Sequence, residues 1–295
     1  MNRVNASSKP CASKLVFGAA SVGMAYGLPR QSAGANVAPA ESDAALLVEH
    51  ALELGIATFD TAPAYGDSEE RLGRILGPRG RIWTKVSAGD PRASLESSLE
   101  RLRRPRVELL QWHNWTAALR DDKAWTAAWS ALRGDARAGR LGATTYGVVD
   151  AVAAAASGLF DVVQCEFNLL NQAVVAALEE YVQQGRVEVA VRSVLLQGAL
   201  TDDGRELPDL PSLRAAVARA RSAAEGVGMT RLALRAALEK PGIAHVLIGI
   251  DRPEQLDEAT RLAAGPSLSA EMRARIAGLD IGDASCDPRR WPRSR

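Results

Sequence analysis

Short apolar runs recur along this chain, and between them lie longer stretches whose apolar residues return with helical spacing. The runs predict strands near 15–18, 57–60, 81–86, 108–113, 141–146, 161–166, 187–192 and 245–249. Helical spacing covers 41–54, 68–76, 92–103, 122–138, 150–156, 172–184, 230–240 and 253–263, with further helices over 212–225 and 270–278. Leu95, Leu99 and Leu102 form the buried stripe of one of them, and its alternating charges read as a solvated face. Helix starts carry local signals: Ser68 with Glu69 and Glu70, and Pro211-Ser212 after Asp209. Eight alternating strand and helix signals in 295 residues predict an α/β chain, a (β/α)8 TIM barrel. One domain over residues 1–295, with a tail from about 280, follows from that length.

In such a barrel the C-terminal ends of the strands meet on one face. Asp60, Lys85 and His113 fall at or just beyond the ends of the second, third and fourth strands, and Tyr65 follows Asp60 closely. A phenol has a reference pKa of about 10, too high for easy proton exchange at neutral pH. A neighbouring ammonium favours the phenolate and lowers that value. An aspartate holds the ammonium in place, and a histidine hydrogen-bonds a carbonyl oxygen or relays a proton. The set suits protonation of a carbonyl oxygen while hydride reaches carbon. No side chain supplies hydride, so a cofactor must. Two long stretches, Ala25 to Glu41 and 198–211, lie where loops shape substrate pockets.

Composition narrows the classes. An apolar fraction of 47% supports a sizeable core, and a net charge of +1 argues against a nucleic-acid footprint. No apolar run reaches the roughly 18 residues of a membrane span. Residues 1–13 lack an apolar signal core, so a cytoplasmic location is expected. Three widely spaced cysteines give neither a disulfide framework nor a metal pattern. Cys165 reads as a buried apolar residue, and His245 as structural at the far end of the barrel. Glu166 and Asn168 read as caps of strand six. Trp112 and Trp115 either line a pocket or pack between helices and barrel. The tail Cys286 to Arg295 either folds over the barrel mouth or is a basic solvated end.

The segment Asp60-Thr61-Ala62-Pro63-Ala64-Tyr65-Gly66, with Ser68-Glu69 and Leu72-Gly73, resembles the active-site segment of the aldo-keto reductases. Lys85 and His113 then fall on that family's catalytic lysine and histidine. Gly142 to Tyr146, Val163 to Asn171, Arg192 to Gly198 and Val246 to Leu256 are similar to its segments after strands five to eight. Gly23-Met24-Ala25-Tyr26-Gly27 resembles a sugar-modifying branch. The resemblance implies Tyr65 as general acid/base, tuned by Lys85 and Asp60, with His113 orienting the carbonyl. It implies that Thr144 and Gln164 bind the nicotinamide carboxamide and that Arg192 stacks where relatives place an aromatic ring. Thr145 replaces a frequent asparagine. Ser193 and Gly198 belong to the implied cofactor loop, and Gly249, Arg252 and Gln255 to the implied phosphate segment. There Gly249, Ile250 and Gln255 replace the lysine, serine and arginine of many NADPH users, and Ala259 an adenine-binding asparagine. Arg252 is the expected contact to a 2′-phosphate, so NADP is expected, with NAD as the alternative because Asp251 stands beside it.

The expected reaction is NAD(P)(H)-dependent interconversion of a small aldehyde, ketone or sugar with its alcohol. Two other readings stay open. One is a lyase with Lys85 as a Schiff base. The other is a cofactor-binding regulatory barrel with little turnover. Substrate identity, reaction direction and oligomeric state carry no readable signal in the chain.

Overall fold

Eight strands pair in parallel and in chain order, and the last closes on the first. They are β1 (Leu15–Gly18), β2 (Thr58–Asp60), β3 (Arg81–Val86), β4 (Leu109–Trp112), β5 (Leu141–Thr144), β6 (Val162–Glu166), β7 (Glu188–Arg192) and β8 (Ile243–Gly249). Closure runs from Leu15 opposite Val246 to Gly18 opposite Gly249. The computed structural model describes residues 11–30, 37–86, 89–282 and 284–292. The expected (β/α)8 TIM barrel is therefore the fold.

Around the barrel stand α1 (Ala20–Gly23), α2 (Glu41–Glu53), α3 (Ser68–Leu76), α4 (Pro91–Leu102), α5 (Lys123–Ser130) and α6 (Gly147–Ser157). They are followed by α7 (Ala173–Ala177), α8 (Glu179–Gln183), α9 (Pro211–Ala223), α10 (Met229–Glu239), α11 (Pro253–Ala264) and α12 (Ala270–Ala277). Local chemistry sets several starts. The Asp90 side chain accepts from Arg92 N ahead of Pro91 at the first turn of α4, and Asp122 accepts from Trp125 N at α5.

Two helices are shorter than their periodicity predicts. The stretch 122–138 stops as α-helix at Ser130 and tightens into a 3-10 turn over Ala131–Gly134. Asp135 then turns its carboxylate onto Arg137 instead of continuing the helix. The stretch 172–184 divides at Leu178, whose N–H bonds Val175 O and whose side chain is buried. Tertiary packing there overrides a continuous helical pattern.

Strand alternation decides what fills the barrel. Val16, Trp83, Leu109, Val162, Ala190 and Leu247 form a separate apolar cluster, distinct from the large one between sheet and helices. Trp83 meets His245 edge-on at 4.9 Å, and His245 Nε2 pairs with Glu188 Oε2 at 3.2 Å. The His245 hydrogen bond, helped by Arg140, holds Glu188 at about 2 despite partial burial. Both residues lie in the early part of their strands, so His245 closes the N-terminal end, as its sequence position suggests.

Candidate active site

Two residues beyond the inner apolar layer, the same strand phase carries polar side chains. Lys85 follows Trp83, Gln111 follows Leu109, and Gln164 follows Val162. All three are buried, together with Asp60 at the end of β2. Lys85 Nζ donates to Asp60 Oδ2 at 2.6 Å and to the carbonyl of Thr61 at 2.8 Å. Gln111 Nε2 and Gln164 Nε2 donate to Asp60 Oδ1 at 2.9 and 3.0 Å.

Tyr65 lies over this layer. Lys85 Nζ stands 4.8 Å from the centre of its ring, and the His113 ring meets it edge-on at 5.9 Å. The structure thus brings Asp60, Tyr65, Lys85 and His113 into one constellation. Close backbone approach fixes the Tyr65 segment. A Cβ on Gly23 would sit 2.2 Å from the Tyr65 carbonyl oxygen, and one on Gly66 would sit 2.3 Å from the Gly23 carbonyl oxygen. Gly66 also has φ +60, which glycine adopts without strain. Thr61 Oγ1 donates to Ser68 Oγ and Ser68 Oγ to the Ala19 carbonyl, both at 2.9 Å, which ties the segment to β1.

The charges differ in one respect from the sequence expectation. Burial pushes the Tyr65 phenol up, and Lys85 pulls it down by charge and by a side-chain hydrogen bond. Burial wins, so the net direction is upward. Burial pulls Lys85 down, but Asp60 and Tyr65 more than offset this and raise it. Lys85 therefore stays charged, which disfavours the Schiff-base reading because that chemistry needs a free amine. Burial, with Lys85 and Arg192 nearby, lowers His113 to about 3. His113 is therefore neutral at physiological pH, able to donate one hydrogen bond without carrying charge.

The residues expected to bind the cofactor divide into two groups. Thr144 ends β5, and its hydroxyl accepts from Asn114 N at 2.7 Å. Arg192 ends β7, donates to the Thr145 carbonyl at 2.7 Å and stands 3.6 Å from Glu166. Its guanidinium lies 3.9 Å over the Tyr146 ring, so stacking does occur there, on a tyrosine of the chain. The buried Thr145 Oγ1 and Arg192 Nη1 make no hydrogen bond. Ser193, Gly198, Gly249 and Gln255 line a separate cleft between the ends of β7 and β8. Arg252 caps α11 at its margin and donates to Asp203 Oδ2 at 2.7 Å.

The loop after β1 crosses that cleft. Leu28 N donates to the Gln197 carbonyl and Glu206 N to the Pro29 carbonyl, both at 3.0 Å. Arg205 Nη1 donates to the Leu28 carbonyl at 2.9 Å. Left-handed backbone at Ser193, Leu196 and Gln197 shapes the facing loop. Residues 31–36, within the long stretch Ala25 to Glu41, lie outside the described residues.

Sequence reasoning missed Gln111, Arg205 and Arg30. Gln111 had a signal: a polar residue at the inward phase of a buried strand. The arginines had none, because Leu28, held by Arg205, and Asp251, held by Arg30 across the cleft, lie far from them in sequence. Trp112 packs as one of its readings expects, and it also borders a surface pocket beside Trp125. Trp112 and Trp115 are buried, and Trp112 meets Trp125 at 4.8 Å and Trp129 at 5.8 Å. The described part of the tail docks on the C-terminal face. Ile281 N bonds the Leu170 carbonyl at 3.1 Å, Trp291 is buried, and Arg289 lies 3.2 Å over Tyr146. Cys165 is buried in β6, unbridged, and its thiol is pushed up to about 12 by burial. Asn168 and Asn171 form an isolated bridge beyond β6, and Glu166 Oε1 accepts from Gly147 N.

Among the described residues no group of three or more His, Cys, Asp or Glu is placed to hold a metal, and no helix is long and apolar enough to cross a membrane. The chain is 31% identical over 276 residues to L-galactose dehydrogenase of Arabidopsis thaliana, covering 82% of this chain and 81% of that protein. Its fold matches the holo form of an aldo-keto reductase from Bacillus halodurans with a TM-score of 0.77 at 22% identity, over 92% of this chain and 93% of that one. It also matches glycerol dehydrogenase from Gluconobacter oxydans with a TM-score of 0.71 at 20% identity, over 92% and 93% of the two chains. A sequence model of the aldo/keto reductase family matches residues 14–281. The chain belongs to the aldo-keto reductase family and is an oxidoreductase.

Proposed function

We propose that this enzyme interconverts a small carbonyl compound and its alcohol, with Tyr65 as general acid/base and NADP(H), or NAD(H), as hydride source. The observation that carries this is one charged lysine, bonded to Asp60 and set against Tyr65, with a neutral His113 edge-on to the same phenol ring. In reduction Tyr65 gives its proton to the carbonyl oxygen, and Lys85 stabilises the phenolate left behind. His113 donates a hydrogen bond to the same oxygen and orients it. Asp60 keeps Lys85 charged and in place.

A nicotinamide dinucleotide supplies the hydride when bound. The residues present fit it. Thr144, Gln164, Arg192 and Ser193 serve the nicotinamide end, where Thr145 Oγ1 and Arg192 Nη1 are buried without a hydrogen bond. Gly198, Gly249, Arg252 and Gln255 serve the adenosine end, where Arg205 Nε and Arg252 Nε likewise make no hydrogen bond. The relative named L-galactose dehydrogenase favours a sugar or other hydroxylated aldehyde within the substrate class. Cys165, buried in β6 and unbridged, fits a reducing cytoplasm.

The test is turnover of an aldehyde and sugar panel with each cofactor, in the parent and in Tyr65→Phe. General acid catalysis is worth about a hundred- to ten-thousand-fold, and a loss of that size is expected while cofactor fluorescence quenching persists. Quenching without turnover in the parent is the outcome expected of a regulatory barrel. Near-normal turnover in Tyr65→Phe would remove Tyr65 from its role.

A further inference from the structure

Gln111 is a fully buried amide in the middle of β4. Its Nε2 donates to Asp60 Oδ1 at 2.9 Å, and its Oε1 accepts from Gln164 Nε2 at 2.9 Å. Gln164 Nε2 also donates to Asp60 Oδ1, at 3.0 Å, while Asp60 Oδ2 takes Lys85 Nζ at 2.6 Å. One carboxylate thus joins β2, β3, β4 and β6. Chemistry fixes the sense of both amides. An ionised carboxylate only accepts, so N–H groups face it, and the Gln111 carbonyl is left to receive Gln164.

We infer that Gln111 is a positioning residue that ties the proton-handling side chains to the carboxamide-binding Gln164. This rests on the proposed oxidoreductase reading. Gln111 is fully buried and acts through two neighbours. Toward Asp60 it draws negative charge onto Oδ1. Asp60 then neutralises Lys85 less completely, and more of the ammonium's charge acts on Tyr65. Toward Gln164 it holds Nε2 inward, which leaves Oε1 as the atom to accept a carboxamide N–H. The site is buried, so water does not replace a lost donor.

Two substitutions separate this role from simple core filling. Gln111→Met keeps similar bulk and removes both hydrogen bonds. Gln111→Glu, when protonated, still donates to Asp60; when ionised, it sets a second carboxylate against the first. Three readouts apply. The Tyr65 phenolate is titrated by rapid pH-jump absorbance, as the difference between each protein and the same protein carrying Tyr65→Phe. Dissociation constants for reduced NADP and NAD are read by fluorescence, and kcat/KM is followed against pH.

In Gln111→Met the Tyr65 titration is expected to move up by about one pH unit, with cofactor binding weakened about three- to tenfold. In Gln111→Glu an additional ionisation is expected, with near-parental behaviour below it and weak cofactor binding above it. A folded Gln111→Met with unchanged Tyr65 titration and unchanged cofactor binding overturns the inference. If Gln111→Met does not fold, Gln111→Glu decides alone, and absence of the additional ionisation overturns it. A parent that neither binds the dinucleotides nor turns over a carbonyl sinks the oxidoreductase reading instead. The Tyr65 titration needs no ligand, so it reads the link from Gln111 through Asp60 and Lys85 in either case.

Discussion

Arg30 and Asp251 are 221 positions apart in sequence and meet at 2.5 Å. The contact joins the loop after β1 to the loop after β8. Arg205, from the loop after β7, stands 3.9 Å from the same carboxylate and bonds the Leu28 carbonyl. Three loops are thus fastened across the cleft proposed for the dinucleotide. The Arg30 and Asp251 side chains are 20% and 30% exposed, so the pair contributes no more than about 1 kcal/mol. Removing it with Arg30→Ala is expected to speed cofactor release about fivefold. Stopped-flow nucleotide fluorescence measures this, and an unchanged release rate would separate the strap from cofactor exit.

Lys85→Met is expected to act on proton transfer and on stability together. Losing the ammonium removes the charge that pulls the Tyr65 phenol down, so the apparent pKa of the acid moves further up and the rate near neutral pH falls. The same change leaves Asp60 buried without its cation. Breaking a buried pair in this way costs about 3–5 kcal/mol, lessened here by the amides of Gln111 and Gln164 on Oδ1. A pH–rate profile alongside urea unfolding checks both parts. An unchanged profile counts against the coupling, and borohydride trapping of substrate on Lys85 would favour a Schiff base.

His113 supplies a pH dependence of definite sign. Its folded value lies at about 3, below the ordinary 6.5. Between those values the unfolded chain binds a proton that the folded chain refuses, so stability falls as pH falls through this window. In the parent, the urea midpoint is expected to drop from pH 7 to pH 5. His113→Gln cannot take up that proton, and its midpoint is expected to drop less. Equal drops in the two proteins would show that His113 is not held neutral by the fold.

The barrel was readable because strand and helix periods differ and alternate cleanly from Leu15 to Ala264. Strand positions fell within about two residues, since each run is bounded by turn residues rather than by tertiary accident. The division at Leu178 was not readable, because its cause is burial against distant elements. The meeting of Asp60, Tyr65, Lys85 and His113 was readable through residue type at and after strand ends, but the net direction of the Tyr65 shift was not. That direction depends on how much solvent the folded chain excludes, which spacing does not encode. Gln111 shows a further signal that sequence carries: two residues after Leu109 and two before His113, it shares the inward phase with both. Arg205 shows the opposite case, since nothing around it in sequence points to Leu28 or Asp251.

On the proposed reading, cofactor choice turns on Arg252 and the acids that hold it. Arg252 donates to Asp203 at 2.7 Å and lies 3.8 Å from Asp251. Arg30 already engages Asp251, and Arg205 stands 3.7 Å from Asp203. Three guanidinium groups therefore share two carboxylates, and Asp202 and Glu258 also line the cleft, so the attraction for a 2′-phosphate rests on the Arg252 fork rather than on a surplus of positive charge. An arginine fork matches phosphate geometry, and charge-assisted hydrogen bonds are about twice as strong as neutral ones. NADP(H) is accordingly expected to bind more tightly than NAD(H), but by a margin reduced by Asp203, which a phosphate must displace. Arg252→Ala is expected to erase the margin by weakening NADP(H) alone. Asp203→Asn frees Arg252 and is expected to widen the margin about three- to tenfold, since a hydrogen bond to a charged group is worth roughly 1.5–3 kcal/mol and part of it is already screened. Paired dissociation constants for both cofactors, in the parent and both variants, decide the matter. Equal weakening of NAD(H) and NADP(H) in Arg252→Ala would place Arg252 on a part of the cofactor that both share, and a parent that prefers NAD(H) would show that Asp251 governs the site instead.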